Sequence, residues 1–245
     1  PEFYVTYIAN KSDKEKLVLS HRLYGATESG AAIAPKRFEF AGKWTNTSNP
    51  LDYINYYQAG SDQFASGSEL VLLGWDPEDT HTTNFWEELA SVEGDASSAV
   101  LDTSTFTAKK YLWVQAFVDA PTSVNIVTQV GNSTIDTGSN YAYRSSGNGG
   151  ADATATGASW LALDAGSPTV PSFMNMFIIN NSSTEKLFMI NQADGNTAGA
   201  STVPDRRETV GKWDNTSNQI NRIEIENQTA TNFTSSSILK VWGSD

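Results

Sequence analysis

The sharpest catalytic motif in the chain is Asp136-Thr137-Gly138-Ser139, which matches the signature of an aspartic protease. That chemistry needs two such carboxylates, which share one proton. The most similar segment, Asp102-Thr103-Ser104, lacks the glycine. Only a homodimer could therefore supply a second motif. A turn is favoured instead, because an aspartate can accept hydrogen bonds from nearby backbone amides and glycine can take a positive φ.

The other catalytic residue types are sparse or badly spaced. The two histidines, His21 and His81, have no neighbours at the spacing of a zinc site or a Ser-His-Asp triad. No nucleophile elbow or phosphate-binding loop is present. Glu87 and Glu88 are adjacent, so on a strand they would face opposite sides, which disfavours a glycosidase pair. We predict a protein that is not an enzyme and needs no cofactor.

Calcium is the one ion that the acidic residues suggest. Asp76, Glu78 and Asp79 cluster in one loop, and Asp194 lies in a second loop, Asp194-Gly195-Asn196. Hard cations bind several oxygen ligands from such loops. The spacing fits no EF-hand, and the alternative is a solvated acidic loop.

Three aromatic residues are candidates for stacking on sugar rings: Trp86, Tyr141 and Trp160. Their rings combine a flat apolar surface with a polar group. Loops such as residues 145–159 would then shape the specificity for a glycan. The alternative for each ring is packing in the protein core.

The composition predicts an all-β protein. Seven Trp, nine Tyr and eleven Phe accompany many Thr, Ser, Asn and Gly residues, which suits pleated strands joined by turns. A net charge of −12 without basic clusters disfavours nucleic acid as a partner. No apolar stretch approaches the ~20 residues that span a bilayer, so no membrane insertion is expected. The absence of cysteine fits folding in a reducing cytoplasm. The first residues resemble neither a signal peptide nor an initiator Met, which suggests a processed chain or a fragment.

The chain contains an internal repeat. Residues 3–25 match residues 173–195 at an offset of 170, and an offset of 169 holds from residue 35 onward. Residues 42–49 recur as residues 211–218 with seven of eight identical. We call residues 1–77 copy 1 and residues 171–245 copy 2. Such self-similarity indicates a repeated structural unit.

Both copies and the segment between them have residue patterns that predict strands. Residues 3–8 and 16–21 predict a hairpin, and residues 70–74 and 238–242 predict a closing strand in each copy. Residues 220–227 predict a strand with Ile223 and Ile225 on its buried side. Between the copies, residues 111–118 and 124–127 predict strands, residues 85–92 predict a strand or a short helix, and residues 145–159 predict a long loop. The recurring Trp44 and Trp213 predict packed rings at strand starts.

The simplest layout has two modules. Residues 84–245 would form one complete β-sandwich, and residues 1–77 the second half of another whose first half is missing or upstream. Residues 78–83 would be the linker. The alternative fuses all three segments into one large sandwich.

Several stretches resemble a tandem β-sandwich module of tailed-phage virion proteins, notably those that infect marine bacteria. The resemblance covers nearly the whole chain and rests on residues 106–112, 136–144, 148–152, 180–187, 204–208, 211–213 and 67–77. It implies tandem antiparallel, jelly-roll-like sandwiches with no catalytic residues. Such modules occur in capsid decorations, tail-tip proteins and fibres.

We therefore expect a non-enzymatic structural protein on the exterior of a tailed-phage virion, assembled in the host cytoplasm as a capsid decoration or tail appendage. Its partners would be copies of itself, in a homo-oligomer, and other virion proteins such as major capsid or tail proteins. One alternative is a glycan- or receptor-binding module of a phage tail fibre, with a host-surface glycan as partner. Another is a subunit of a prokaryotic surface layer or filament.

Overall fold

The computed structural model describes residues 1–25, 30–57, 60, 63–74, 85–120, 125–163, 171–194, 200–201 and 203–245. Every regular element in these ranges is a β-strand, and the strand pairs between residues 87 and 244 are antiparallel. The predicted all-β, antiparallel class is confirmed. No helix of the length and apolarity needed to cross a membrane occurs in the described ranges.

The strands fall into one three-stranded, one eight-stranded and one five-stranded sheet. In chain order they are β1 (Glu2–Ala9), β2 (Lys16–Tyr24), β3 (Lys36–Trp44), β4 (Glu87–Glu93), β5 (Val100–Asp102), β6 (Tyr111–Val118), β7 (Ile126–Asn132), β8 (Thr134–Ile135), β9 (Tyr141–Gly147), β10 (Ala153–Ala158), β11 (Leu161–Ala162), β12 (Ser172–Ile179), β13 (Lys186–Asp194), β14 (Asp205–Trp213), β15 (Arg222–Asn227) and β16 (Ile238–Ser244).

Two large sheets form a sandwich. One has the order β10-β9-β14-β13-β12-β6-β16-β4, and the other has the order β11-β7-β15-β5 with β8 paired to β7. Side chains of both sheets share one core, which includes Val114 of β6, Met176 of β12, Val130 of β7 and Ile223 of β15. The period of two puts alternate residues inside; on β6 every second residue from Leu112 is buried.

The described residues cluster into two compact units. Unit 1 comprises Pro1–Val5, His21–Glu39 and Phe85–Asp245, and unit 2 comprises Thr6–Ser20 and Phe40–Asn84. Strands β1, β2 and β3, which form a sheet in that order, contribute residues to both units. One limit, between Asn84 and Phe85, lies next to the expected start of the second module at residue 84, whereas the other limits divide copy 1. The division into modules stays a prediction.

Three strands of copy 1 begin and end at the positions paired with strands of copy 2. β1, β2 and β3 correspond to β12, β13 and β14 at offsets of 170, 170 and 169. The predicted hairpin of residues 3–8 and 16–21 is present as β1 and β2. Copy 2 continues into β15 and β16, whereas the described residues 51–57 and 63–74 of copy 1 contain no strand. The strand predicted at residues 70–74 is therefore wrong.

One further local prediction is corrected, and for residues 85–92 the predicted strand, not the alternative helix, is confirmed. Residues 145–159 form the end of β9, a turn and β10, not one long loop. Asn148 and Gly149 take positive φ values of 52° and 76°, and the Gly150 amide donates to the Gly147 carbonyl at 2.8 Å, which closes the turn. Residues 87–93 form strand β4 and no helix.

Candidate functional site

The protease-like motif is a structural turn. The Gly138 amide donates to Asp136 Oδ1 at 2.9 Å, and the Asn140 side-chain amide donates to Asp136 Oδ2 at 2.9 Å. Trp213 Nε1 donates to Asp136 Oδ2 at 2.7 Å. Partial burial acts to raise the pKa of Asp136, but these hydrogen bonds outweigh it and hold the pKa below the ordinary aspartate value. The carboxylate is thus engaged in bonds within the fold.

The aspartate part of the turn prediction is confirmed, and the reason given for the glycine is wrong. Gly138 is not among the residues with positive φ. A Cβ at this position would lie 2.9 Å from Asn140 Nδ2 and 3.1 Å from Asp136 Oδ1. A side chain at this position would displace the Asn140 amide that donates to Asp136, so glycine favours the observed hydrogen bonds.

Tyr141 lies in the core, which corrects the expectation that its ring stacks on a sugar. The residue is fully buried because β9 points it between the two sheets of the sandwich. Its hydroxyl accepts a hydrogen bond from the Val130 amide and donates to the Asp136 carbonyl, at 3.0 and 2.9 Å. Burial raises the pKa of Tyr141 well above the ordinary tyrosine value.

Trp86 belongs to a group of aromatic rings on the outer side of the eight-stranded sheet. The rings are half-buried, because residues 111, 113, 177 and 242 alternate with core residues on their strands. We call this group the aromatic face; it comprises Phe85, Trp86, Tyr111, Trp113, Phe177 and Trp242. Trp113 is at its centre, with ring centroids 5.0 Å from Trp242, 5.8 Å from Trp86 and 6.0 Å from Phe177.

Polar groups lie beside the aromatic face. Asn175 Oδ1 accepts from Trp113 Nε1 at 2.6 Å and from Gln115 Nε2 at 3.3 Å. Lys240 Nζ lies 6.0 Å from the centroid of Trp242 and donates to Glu88 Oε2 at 3.0 Å. Flat rings beside amide and charged groups suit recognition of a surface that is partly apolar and partly polar.

The remaining predicted site residues are not brought together. Trp160 is half-buried just before β11 and is not a member of the aromatic face. The calcium candidates Asp76, Glu78 and Asp79 lie outside the described residues. Asp194 is buried at the end of β13, where its Oδ1 accepts from Gln192 Nε2 at 2.8 Å. In the described part of the chain, no three His, Cys, Asp or Glu residues are grouped as a metal site.

The paired positions of the repeat make the same hydrogen bonds. Asn10 exchanges two bonds with the backbone of Leu51, at 2.6 and 2.9 Å. Its counterpart Asn180 does the same with Ile220, at 2.6 and 3.0 Å. The recurring asparagine therefore joins the turn after the first strand of each copy to a later segment of that copy.

Two buried lysines at paired positions, Lys16 and Lys186, also make the same contacts. Lys16 Nζ donates to the carbonyls of Lys14 and Asn46, each at 2.8 Å, and lies 5.8 Å from the Trp44 ring. In copy 2, the paired lysine makes the paired contacts: Lys186 Nζ donates to the carbonyls of Thr184 and Asn215 at 2.8 and 2.7 Å, 5.8 Å from the Trp213 ring.

The copies differ sharply in how far their apolar side chains are covered. In copy 2, Trp213, Phe233, Leu239 and Val241 are between 0% and 2% exposed, and all four belong to the core of the sandwich. The paired residues of copy 1 are Trp44, Phe64, Leu70 and Leu72, and they are 42%, 57%, 55% and 67% exposed. We call these four residues of unit 2 the uncovered set.

The ring prediction for the recurring tryptophan thus holds for one copy only. Trp213 is packed, as predicted, whereas Trp44 is exposed. Both residues end their strands, β14 and β3, so the predicted position at strand starts is wrong.

No family model, curated protein or solved structure matches the chain.

Sequence reasoning found Trp86 but missed the rest of the aromatic face. The face joins residues of three strands, β6, β12 and β16, with Phe85 and Trp86, which precede β4. No spacing in the sequence relates these residues. One signal was available: on β6 and β12 the aromatic residues Tyr111, Trp113 and Phe177 occupy positions that alternate with smaller apolar residues, which places two sets on opposite sides of a strand.

Proposed function

We propose that this chain is a non-enzymatic structural protein that acts by assembly, as a capsid decoration or tail appendage on the exterior of a tailed-phage virion. The observation that carries the proposal is the uncovered set. The apolar residues of the uncovered set are exposed to solvent, whereas the paired residues of copy 2 are buried in the core. Large exposed apolar patches mark interaction surfaces.

The charge of the chain supports the same function. A net charge of −12 lets assembled particles repel one another, so that association is confined to surfaces where apolar contact outweighs the repulsion. The resemblance to tandem sandwich modules of phage particles is the reason for proposing the virion as the place of assembly.

Electron cryo-microscopy of the particle that contains the chain tests this function. We expect regular copies of the chain on a capsid or tail, with the uncovered set buried against a neighbouring polypeptide. A chain that is monomeric in sedimentation experiments and absent from every particle would contradict the proposal. The same chain with a secretion signal, arranged in a cell-surface lattice, would favour a surface-layer subunit.

The aromatic face favours a second function, glycan binding by a tail-fibre module. Its rings and the neighbouring Asn175, Gln115 and Lys240 combine the stacking and hydrogen-bonding groups that a sugar needs. A glycan array probed with the chain tests this. We expect Trp86→Ala to abolish a signal that the control Trp44→Ala leaves unchanged. Equal signals from both variants, or none from the native chain, would contradict glycan binding by this face.

A further inference from the structure

The side chains that cover the core of copy 2 come from the segment between the copies. Leu112 and Val114 of β6, with Ile126 and Val130 of β7, share one core with Trp213, Phe233, Leu239 and Val241. We call residues 85–163 the cover segment. Its strands therefore account for the burial of the copy 2 residues that pair with the uncovered set.

The cover segment also completes the hydrogen bonding of copy 2. Strand β12 pairs with β13 on one side and with β6 on the other, with Ile178 opposite Leu112 and Met176 opposite Val114. β1 is the counterpart of β12 in copy 1. Among the described strands it lies at one edge of the three-stranded sheet, with β2 as its one neighbour. An edge strand presents backbone groups that a further strand can bind.

Copy 1 thus lacks, among the described residues, what β6 and β7 provide to copy 2. The cover segment of the same chain cannot provide it, since its β6 is held between β12 and β16 and its β7 faces the same core. A second copy of this chain has its own cover segment occupied in the same way. A cover of the same pattern would therefore have to come from a polypeptide segment other than residues 85–163 of this chain.

We propose that copy 1 binds a polypeptide with the strand pattern of the cover segment, supplied by a neighbouring subunit of the assembly. A strand of that partner, with apolar residues at every second position, pairs antiparallel with β1. Its apolar side chains cover the uncovered set, as Leu112 and Val114 cover the core of copy 2. This inference rests on the proposed assembly function and names the chemistry of the partner.

The test uses the full chain and, as probe, a separate polypeptide consisting of residues 85–163, produced together in one cell. We expect a one-to-one complex that co-purifies, in which hydrogen exchange of the β1 amides slows by about tenfold or more. Leu70→Asp combined with Leu72→Asp abolishes the complex, because both side chains are exposed in the free chain and the charges would be buried in the complex. Tyr57→Asp, at a residue 78% exposed, is the control and leaves it intact.

Two results would overturn the inference: no complex with a soluble probe, or a complex that the Leu70 and Leu72 substitutions leave unchanged. If the probe alone is insoluble, residues 84–170 are fused ahead of Pro1, which gives them the chain position that they have ahead of Pro171. Unprotected β1 amides in that fusion would equally overturn it.

The outcome is separable from that of the proposed function. A particle that carries the chain in regular copies while Trp44 and Phe64 stay exposed to solvent would support the virion function and contradict this inference. A chain that binds the probe but belongs to no particle would support this inference and contradict the virion function.

Discussion

Trp213 Nε1 donates a 2.7 Å hydrogen bond to Asp136 Oδ2, across 77 positions of the chain. The bond joins the last residue of β14 to the turn that precedes β9, the strand paired with β14. The same carboxylate accepts from Gly138 and Asn140. The aspartate of the protease-like motif, Asp136, thus binds the buried indole of Trp213. Asp136 stabilises the fold in its ionised form.

The first prediction concerns that carboxylate. Asp136→Asn should lower the free energy of unfolding at pH 7 by about 1.5–3 kcal/mol, the usual contribution of hydrogen bonds to a charged group. Because the pKa of Asp136 is lowered in the folded protein, its stabilisation is complete above the unfolded pKa and is lost as the pH falls through the folded pKa. Urea unfolding from pH 7 down to pH 3 should therefore show the native chain and the variant converging. A constant difference would contradict this account, and Asp52→Asn, at an exposed residue, is the control.

The second prediction concerns the buried hydroxyl of Tyr141. Tyr141→Phe should destabilise the chain by about 1–3 kcal/mol, because the Val130 amide and the Asp136 carbonyl lose a partner inside the sandwich. Tyr53→Phe, at a residue 75% exposed, should change stability by no more than about 0.5 kcal/mol. Thermal unfolding of the two variants measures the difference. Glycan or particle binding that disappears in Tyr141→Phe without loss of stability would contradict a purely structural role.

A strand of this fold can be predicted from the sequence when one of its faces packs in the core, because its apolar residues then alternate with the others. Strand β6 was predicted with its observed limits, because apolar residues at every second position indicate which face of the strand is buried. Strand β10 was read as loop because its residues, Ala153–Ala158, are mostly exposed and carry no alternation. Residues 70–74 carry a strong apolar pattern and yet form no strand, since a strand needs a partner that the sequence of one segment does not contain.

The candidate site follows the same rule. The uncovered set could be located from the sequence once the repeat was aligned, because pairing assigns Trp44, Phe64, Leu70 and Leu72 to core positions of copy 2. Its exposure could not be predicted, since that depends on which segment covers which copy. The aromatic face required the order of β4, β16, β6 and β12 in the sheet, which long-range pairing decides.

The third prediction concerns Lys186, whose burial lowers its pKa to about 8. An unfolded lysine titrates near 10.4, so between these values the unfolded chain binds more protons than the folded chain. The free energy of unfolding therefore gains a contribution that rises with pH from about pH 8 to pH 10. Lys186→Met should remove this contribution. Urea unfolding at pH 7, 8.5 and 10 checks it, and a variant that gains stability with pH as steeply as the native chain would show that Lys186 is not the cause.

The fourth prediction uses one ion pair that the repeat places in two environments. Lys212 and Glu185 are in contact at 3.3 Å with side chains 1% and 4% exposed. The paired residues of copy 1, Lys43 and Glu15, are in contact at 2.9 Å but are 56% and 41% exposed. The chemistry is the same, so the difference in solvation decides what each pair contributes.

Glu185→Gln should cost about 3–5 kcal/mol of stability, because it leaves the Lys212 ammonium buried without a counter-charge. Glu15→Gln should cost no more than about 1 kcal/mol, because water solvates Lys43 when its partner is removed. The double variant Glu185→Gln with Lys212→Met should recover much of the loss, since it removes the unpaired charge as well. Chemical unfolding of the three variants measures these differences. Equal losses from Glu185→Gln and Glu15→Gln would mean that the Lys212 ammonium is hydrated in solution, and the buried pair would then contribute no more than its exposed counterpart.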